Sequence, residues 1–198
     1  MSQPTINISW LELKPNELEN GNQEYFEDYY NRVQNKWGYS HVPEIVYKQW
    51  LWAHHKEPNT LNNYAWLDFR KIKFSSVEFT IAEIVNFKVI EEFQEYVDLR
   101  QSCNSFEEFC CTDEDLGYWK TNKTWKTPPV VINLESINSA IPKWCDLKGK
   151  YQLVEGHSRL GYFKSLINMK AKEENFLNEK HKVWLLELTK EFQDERLN

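Results

Sequence analysis

Apolar positions along the chain follow two rhythms, with a less regular stretch between them. Ile6 and Ile8, then Trp10, Leu11 and Leu13, have an alternating character and predict a first strand over 6–13, ending at Lys14-Pro15-Asn16. From Glu24 to Trp37 the residues Tyr25, Phe26, Tyr29, Tyr30, Val33 and Trp37 recur at helical spacing, and Gly38 stops the helix. Pro43 suits the first turn of a second helix through Val46, Trp50 and Ala53 to about His55, and Glu57-Pro58-Asn59 breaks it. Residues 61–75 are aromatic without a period and are expected to be irregular, anchored by Trp66, Leu67 and Phe69. A helix is expected over Thr80 to Val97, and Ser105-Phe106-Glu107-Glu108 has the form of a capping box opening a short helix to Cys111.

The rhythm changes at about Thr127. Val130-Val131-Ile132-Asn133-Leu134 is β-branched and strand-like, and Tyr151 to Glu155 gives the next strand. A helix follows from His157 to about Asn175, then a last strand or helix over Val183 to Leu188. The class is α+β, with helices in front and the β-rich part late. The division expected is a mainly helical segment over 1–126 and a second region over 127–198, forming one compact unit.

Composition narrows the function classes. With 41% hydrophobic residues, 15% aromatics and nine tryptophans, 198 residues carry too much apolar material for a disordered chain. Six glycines and seven prolines argue against a turn-dense all-β protein. The net charge of −6 weighs against a dedicated nucleic-acid binder. No apolar signal region follows Met1, no run is as long as a membrane span, and Cys103, Cys110, Cys111 and Cys145 form no CxxC pair. The expectation is a cytoplasmic protein with reduced thiols and no membrane partner.

One stretch carries candidate chemistry. Tyr151-Gln152-Leu153-Val154-Glu155-Gly156-His157-Ser158-Arg159-Leu160-Gly161-Tyr162-Phe163 reads as a short strand, a glycine turn and the first turn of a helix. The backbone N–H groups at such a junction have no intrahelical acceptor, and Arg159 adds a permanently charged planar fork. That combination suits a phosphate. Lys120, Lys123, Lys126, Lys143, Lys148 and Lys150 outnumber Glu135 and Asp146 in the segment before it.

With Pro128-Pro129-Val130-Val131-Ile132 ahead of it, this stretch resembles the ParB/sulfiredoxin superfamily over roughly residues 127–170. Ile8-Ser9-Trp10-Leu11-Glu12-Leu13-Lys14-Pro15-Asn16 looks like the strand that opens many of its members. The resemblance implies a small mixed sheet, here with a large helical N-terminal elaboration, and a bacterial or mobile-element setting. It implies a nucleotide (ATP, ADP or CTP) with Mg²⁺. Gly156 would allow close backbone approach, the amides of His157, Ser158 and Arg159 would face the phosphate, and Arg159 would pair with it.

Where sulfiredoxins carry a reactive cysteine after the glycine, this chain has His157, so sulfinic-acid repair is not expected. The further nucleotide boxes and helix-turn-helix of chromosome-segregating ParB proteins find no counterpart, and sequence-specific DNA binding is not expected either. Glu155-Gly156-His157-Ser158-Arg159 is similar to the Asp-Gly-His-Thr-Arg of ADP-dependent free-serine kinases. That likeness implies catalytic roles for Glu155 and His157, with Glu155 also a candidate Mg²⁺ ligand. It implies an N-terminal glutamate, Glu12 or Glu17, as base for an acceptor hydroxyl.

Other candidates weigh less. His54 and His55 point about 100° apart on a helix and make no joint metal face, with or without His41. Trp50, Trp52, Trp66 and Trp119 read as core or interface anchors before they read as stacking platforms. Trp119, Trp125 and Trp144, interleaved with lysines, form the one aromatic–basic stretch suited to a base or a single strand. The expected function is a nucleotide-binding protein with ATPase, CTPase or kinase-type phosphoryl chemistry. The alternative is a non-catalytic interaction factor of the immunity, antitoxin or conjugation/defence-accessory kind. The acidic 77–116 region and the excess of tryptophan support that alternative.

Overall fold

The computed structural model describes residues 5–137, 141–169 and 177–188. The chain is α+β, as expected. Four strands, β1 (Ile72–Thr80), β2 (Val130–Asn133), β3 (Tyr151–Glu155) and β4 (Lys180–Leu188), form one sheet in the order β1-β4-β2-β3. Contacts divide the chain into two units. The first comprises Met1–Ser75, Glu135–Asp146 and Leu186–Asn198, the second Ser76–Leu134 and Leu147–Leu185. This division runs differently from the change of sequence character at 126/127.

In the first unit, residues 6–13 do not form the expected strand. Ile8–Glu12 is a short helix, α1, capped by Asn7, whose Oδ1 accepts from the Ser9 amide at 2.9 Å. Trp10 and Leu13 are fully buried three residues apart, while Ile8 and Leu11 are 55% and 50% exposed. That is helical periodicity; the apparent alternation included residues that face water. The helix read from Glu24 on is α2 (Phe26–Val33). Pro43 caps α3 (Glu44–Val46), which widens into a π-helical turn over Tyr47–Trp52.

Glu57-Pro58-Asn59 ends one helix and also starts another. Pro58 is the first residue of α4 (Pro58–Tyr64), and the Glu57 carboxylate accepts from the Thr60 amide at 2.6 Å. Residues 61–75 are therefore not irregular: they contain most of α4, a 3₁₀ turn and the start of β1. The core of this unit is aromatic. Trp50 lies 5.4 Å from Phe69, 5.7 Å from Tyr64 and 6.1 Å from Trp10 between ring centres, and all four are buried.

In the second unit the helix expected over 80–97 is two, α5 (Ile81–Ile84) and α6 (Glu91–Gln101). Between them Lys88 pairs with β3 instead, its amide donating to the Tyr151 carbonyl at 2.9 Å and its carbonyl accepting from Leu153 at 2.8 Å. Thr80 and Glu83 form a capping box, whereas Ser105 makes no cap bond to the 3₁₀ turn Phe106–Glu108. The sequence reading did not find α7 (Asp113–Asn122). β2 and β3 are antiparallel, with Val131 opposite Leu153 and Asn133 opposite Tyr151. They pack with α8 (His157–Met169) through Val131, Leu153, Leu160, Phe163 and Leu166. The part of the expected helix beyond Met169 lies outside the described residues.

β4 carries a buried histidine whose chemistry makes a prediction. His181 is 1% exposed. One ring nitrogen lies 2.8 Å from the Thr124 hydroxyl and the other 2.8 Å from the Asn178 carbonyl. The neutral ring satisfies both, donating to the carbonyl and accepting from the hydroxyl. Burial pushes its pKa from 6.5 down to about 4. In the unfolded chain the ring takes up its proton near 6.5, but in the fold only near 4. This stability is thus complete above the higher value and is lost as pH falls toward the lower one. We expect an acid-side loss on the order of 2 kcal/mol after allowance for solvent screening. His181→Gln should flatten that part of the pH–melting curve; an unchanged curve would remove His181 as its source.

Candidate functional site

The turn read from the sequence forms as a strand–glycine–helix junction. β3 ends at Glu155, Gly156 has φ +106°, and α8 begins at His157, with the Leu160 amide donating to the Gly156 carbonyl at 2.9 Å. Glycine is required twice over. The positive φ strains any other residue, and a Cβ would lie 2.7 Å from Pro129 Cβ and 3.1 Å from the Arg159 Nε and Nη2. Arg159 therefore folds back over the glycine. Its Nη2 lies 3.2 Å from Glu155 Oε1, with both side chains 20% exposed. Burial lowers the proton affinity of Arg159, and the carboxylates of Glu155 and Asp115 oppose that. The guanidinium stays charged.

The flanking residues come from α6. The His157 ring is 9% exposed and packs on Phe93, with ring centres 4.4 Å apart. The Ser158 hydroxyl lies 2.8 Å from that of Tyr96. α8 is fixed further along by Tyr162, which donates to the Cys110 carbonyl at 3.1 Å, and by Ser165, which donates to the Cys103 carbonyl at 2.7 Å. The first-turn amides of His157, Ser158 and Arg159 have no acceptor within the helix by its geometry. Around Gly156 the structure thus gathers a charged fork, a carboxylate and a helix start.

The chain matches no family model. No curated protein and no solved structure matches it either.

Glu155, Gly156, His157, Ser158 and Arg159 are consecutive at the turn of the second unit. Glu12 belongs to the first unit, where its carboxylate accepts from the Tyr39 hydroxyl. That phenol is held well above its usual pKa, first by burial and then by the Glu12 bond. Glu17 is a surface residue of the same unit, 3.3 Å from Lys56. Trp119 and Trp125, 2% and 3% exposed, are core residues and offer no face for a base. Trp50 is buried likewise. His55 stacks on Trp10 at 4.6 Å, and its Nε2–H donates to the Trp10 carbonyl at 2.8 Å. Among the described residues no three His, Cys, Asp or Glu side chains gather as a metal site. No helix among them is long and apolar enough to cross a membrane.

Sequence reasoning missed Phe93, Tyr96 and Asp115 as neighbours of the turn. Asp115 lies in the first turn of α7, where its amide bonds the Thr112 hydroxyl at 3.1 Å. The Thr112–Asp115 spacing was a cap signal that could have located this helix.

Proposed function

We propose that the second unit binds a nucleotide through its phosphate at the Glu155–Arg159 turn, in the manner of the ParB/sulfiredoxin-like fold. The observation that carries this reading is Arg159 folded over Gly156, its Nε and Nη2 each 3.1 Å from where a Cβ would stand. The guanidinium lies beside the start of α8, and an anion bound there would gain both its charge and hydrogen bonds from a helix N-terminus. Ser158 has its hydroxyl on Tyr96, so its contribution is its amide. ATP, ADP or CTP fits this chemistry equally, because the recognition concerns phosphate.

Glu155 sets the condition for binding. Its carboxylate holds Arg159, so an incoming phosphate competes with it for the guanidinium. A Mg²⁺ ion arriving with the nucleotide and taking Glu155 as a ligand would have to draw it from Arg159. Hydrolysis or transfer would follow binding, with His157 and Glu155 beside the phosphate as candidate acid and metal partner.

Calorimetric titration of ATP, ADP and CTP with Mg²⁺ tests the reading. Wild type should bind at millimolar concentration or below, and Arg159→Ala should weaken binding at least about tenfold. Glu155→Gln should tighten it, because the guanidinium loses its internal partner. Absence of binding at millimolar nucleotide, or equal binding by Arg159→Ala, sinks the proposal. Phosphate release by wild type and by Glu155→Gln then separates turnover from binding.

A further inference from the structure

Within the second unit α6 and α8 run side by side in the same direction. Phe93 packs against His157, the Tyr96 hydroxyl lies 2.8 Å from that of Ser158, and the Cys103 carbonyl accepts from Ser165 at 2.7 Å. Arg100 enters this interface beside Gly161, where a Cβ would fall 2.6 Å from the Arg100 Cβ. Helical side chains lean toward the N-terminus of their own helix, so Arg100 leans toward the end at which α8 begins. Its other contacts agree. The guanidinium carbon lies 3.3 Å from the centre of the Tyr96 ring, and Nη1 donates to the Tyr96 carbonyl at 3.3 Å. A single phenol ring therefore separates this charge from the Ser158 hydroxyl, in the first turn of α8.

Arg100 lacks a counter-charge. Among the described residues no carboxylate lies within ion-pair distance of it, and its buried Nε has no hydrogen-bond partner. Arg159, by contrast, has Glu155 at 3.2 Å. The helix starts differ in the same sense. α6 opens on Glu91 and Glu92, and α7 on Asp113, Glu114 and Asp115, whereas α8 has no acidic residue in its first turn. Two guanidinium groups and the positive end of a helix dipole thus lie around Ser158. The carboxylates that offset this charge, Glu155 and Asp115, act on Arg159. Like charges gathered in this way are unfavourable until an anion joins them.

We propose that Arg100 is the ligand for a second phosphate, next to the one held at the Gly156 turn, so that the site selects a nucleoside diphosphate or triphosphate over a monophosphate. The inference rests on the phosphate reading of the turn and adds a specificity-determining residue to it. Tyr96 is 42% exposed, so the Tyr96–Arg100 pair is open to a ligand from solvent. A cation over a ring at an exposed site is held more weakly than a guanidinium in a charge-assisted, bidentate bond to phosphate. The Tyr96 ring therefore parks the guanidinium without competing for it.

Calorimetric titration of ADP and of AMP at fixed Mg²⁺ tests the proposal. Wild type should bind ADP at least about tenfold more tightly than AMP, a comparison that needs no variant. Arg100→Met keeps an unbranched stem beside Gly161 and Tyr96. It should weaken ADP about tenfold and leave AMP unchanged, so that the preference disappears. Arg100→Lys keeps the charge without the fork and should show an intermediate preference. Arg159→Ala should weaken both nucleotides. A merely structural role for Arg100 would lower both affinities together in Arg100→Met, and that result overturns the proposal. Equal binding of ADP and AMP by wild type overturns it too, as does an Arg100→Met protein that keeps the ADP preference. Each of these failures leaves the phosphate reading of the turn standing where Arg159→Ala still weakens binding. Absence of binding by either nucleotide at millimolar concentration removes both.

Discussion

Gly161→Ala is expected to destabilise the second unit by about 2–3 kcal/mol, and Gly161→Val by more. Gly161 sits where α8 crosses α6. A Cβ there would fall 2.6 Å from Arg100 Cβ and 2.7 Å from the Val97 carbonyl oxygen. The carbonyl is backbone of α6 and cannot swing aside as a flexible side chain would, so the two helices must separate. That loosens the packing of Val97 and of Leu160, Phe163 and Leu166 in the same core cluster. The effect runs against helix propensity, which alone favours alanine over glycine by about 1 kcal/mol. Gly117 supplies the control. It is exposed in α7 with nothing within 4 Å of its Cβ position, so Gly117→Ala should stabilise by up to about 1 kcal/mol. Urea unfolding of both variants measures the contrast. A Gly161→Ala protein as stable as wild type would mean the helices do not approach so closely.

Glu24→Ala should cost about 2–3 kcal/mol in the first unit. Glu24 is 5% exposed, and its carboxylate organises three segments. It accepts from the Asn16 amide at 2.7 Å and from the Asn16 side chain at 3.2 Å, and it pairs with Arg32. Arg32 in turn donates to the Lys14 carbonyl at 3.0 Å. Removing the carboxylate leaves both the Asn16 backbone donor and the Arg32 guanidinium without it. The cost of breaking a fully buried pair is about 3–5 kcal/mol, and we place this one lower because the Arg32 side chain is 30% exposed. Glu24→Gln keeps an acceptor for Asn16 and should lose about half as much. Equal urea midpoints for wild type and Glu24→Ala would show that water replaces the carboxylate at no net cost.

The legible parts of the fold were those where burial and periodicity agree. Val130 to Ile132 are all buried, and Gln152 to Val154 likewise, so β2 and β3 could be read as short apolar runs. The positive φ of Gly156 and the start of α8 at His157 followed from the residue types. β1 was not legible because only Ile72 and Phe79 of its nine residues are buried, and Ser75-Ser76 interrupts any alternation. α7 was missed for a related reason: Trp119 is its one buried residue, so it shows no apolar stripe. At the glycine turn the sequence held the chain-local residues. The tilted packing of Phe93 against His157 and the Tyr96–Ser158 bond come from residues more than sixty positions upstream. No local pattern encodes them.

The way the chain is divided has a consequence for dissection. The first unit is assembled from three stretches and the second from two, and the breaks at 75/76 and 185/186 fall inside β1 and β4. No single cut of the chain releases either unit whole. A piece beginning at Thr127 would carry the glycine turn without α6, and so without the partners of His157, Ser158 and Gly161. The turn's chemistry is a property of the uncut chain, even though its motif occupies only a few consecutive residues.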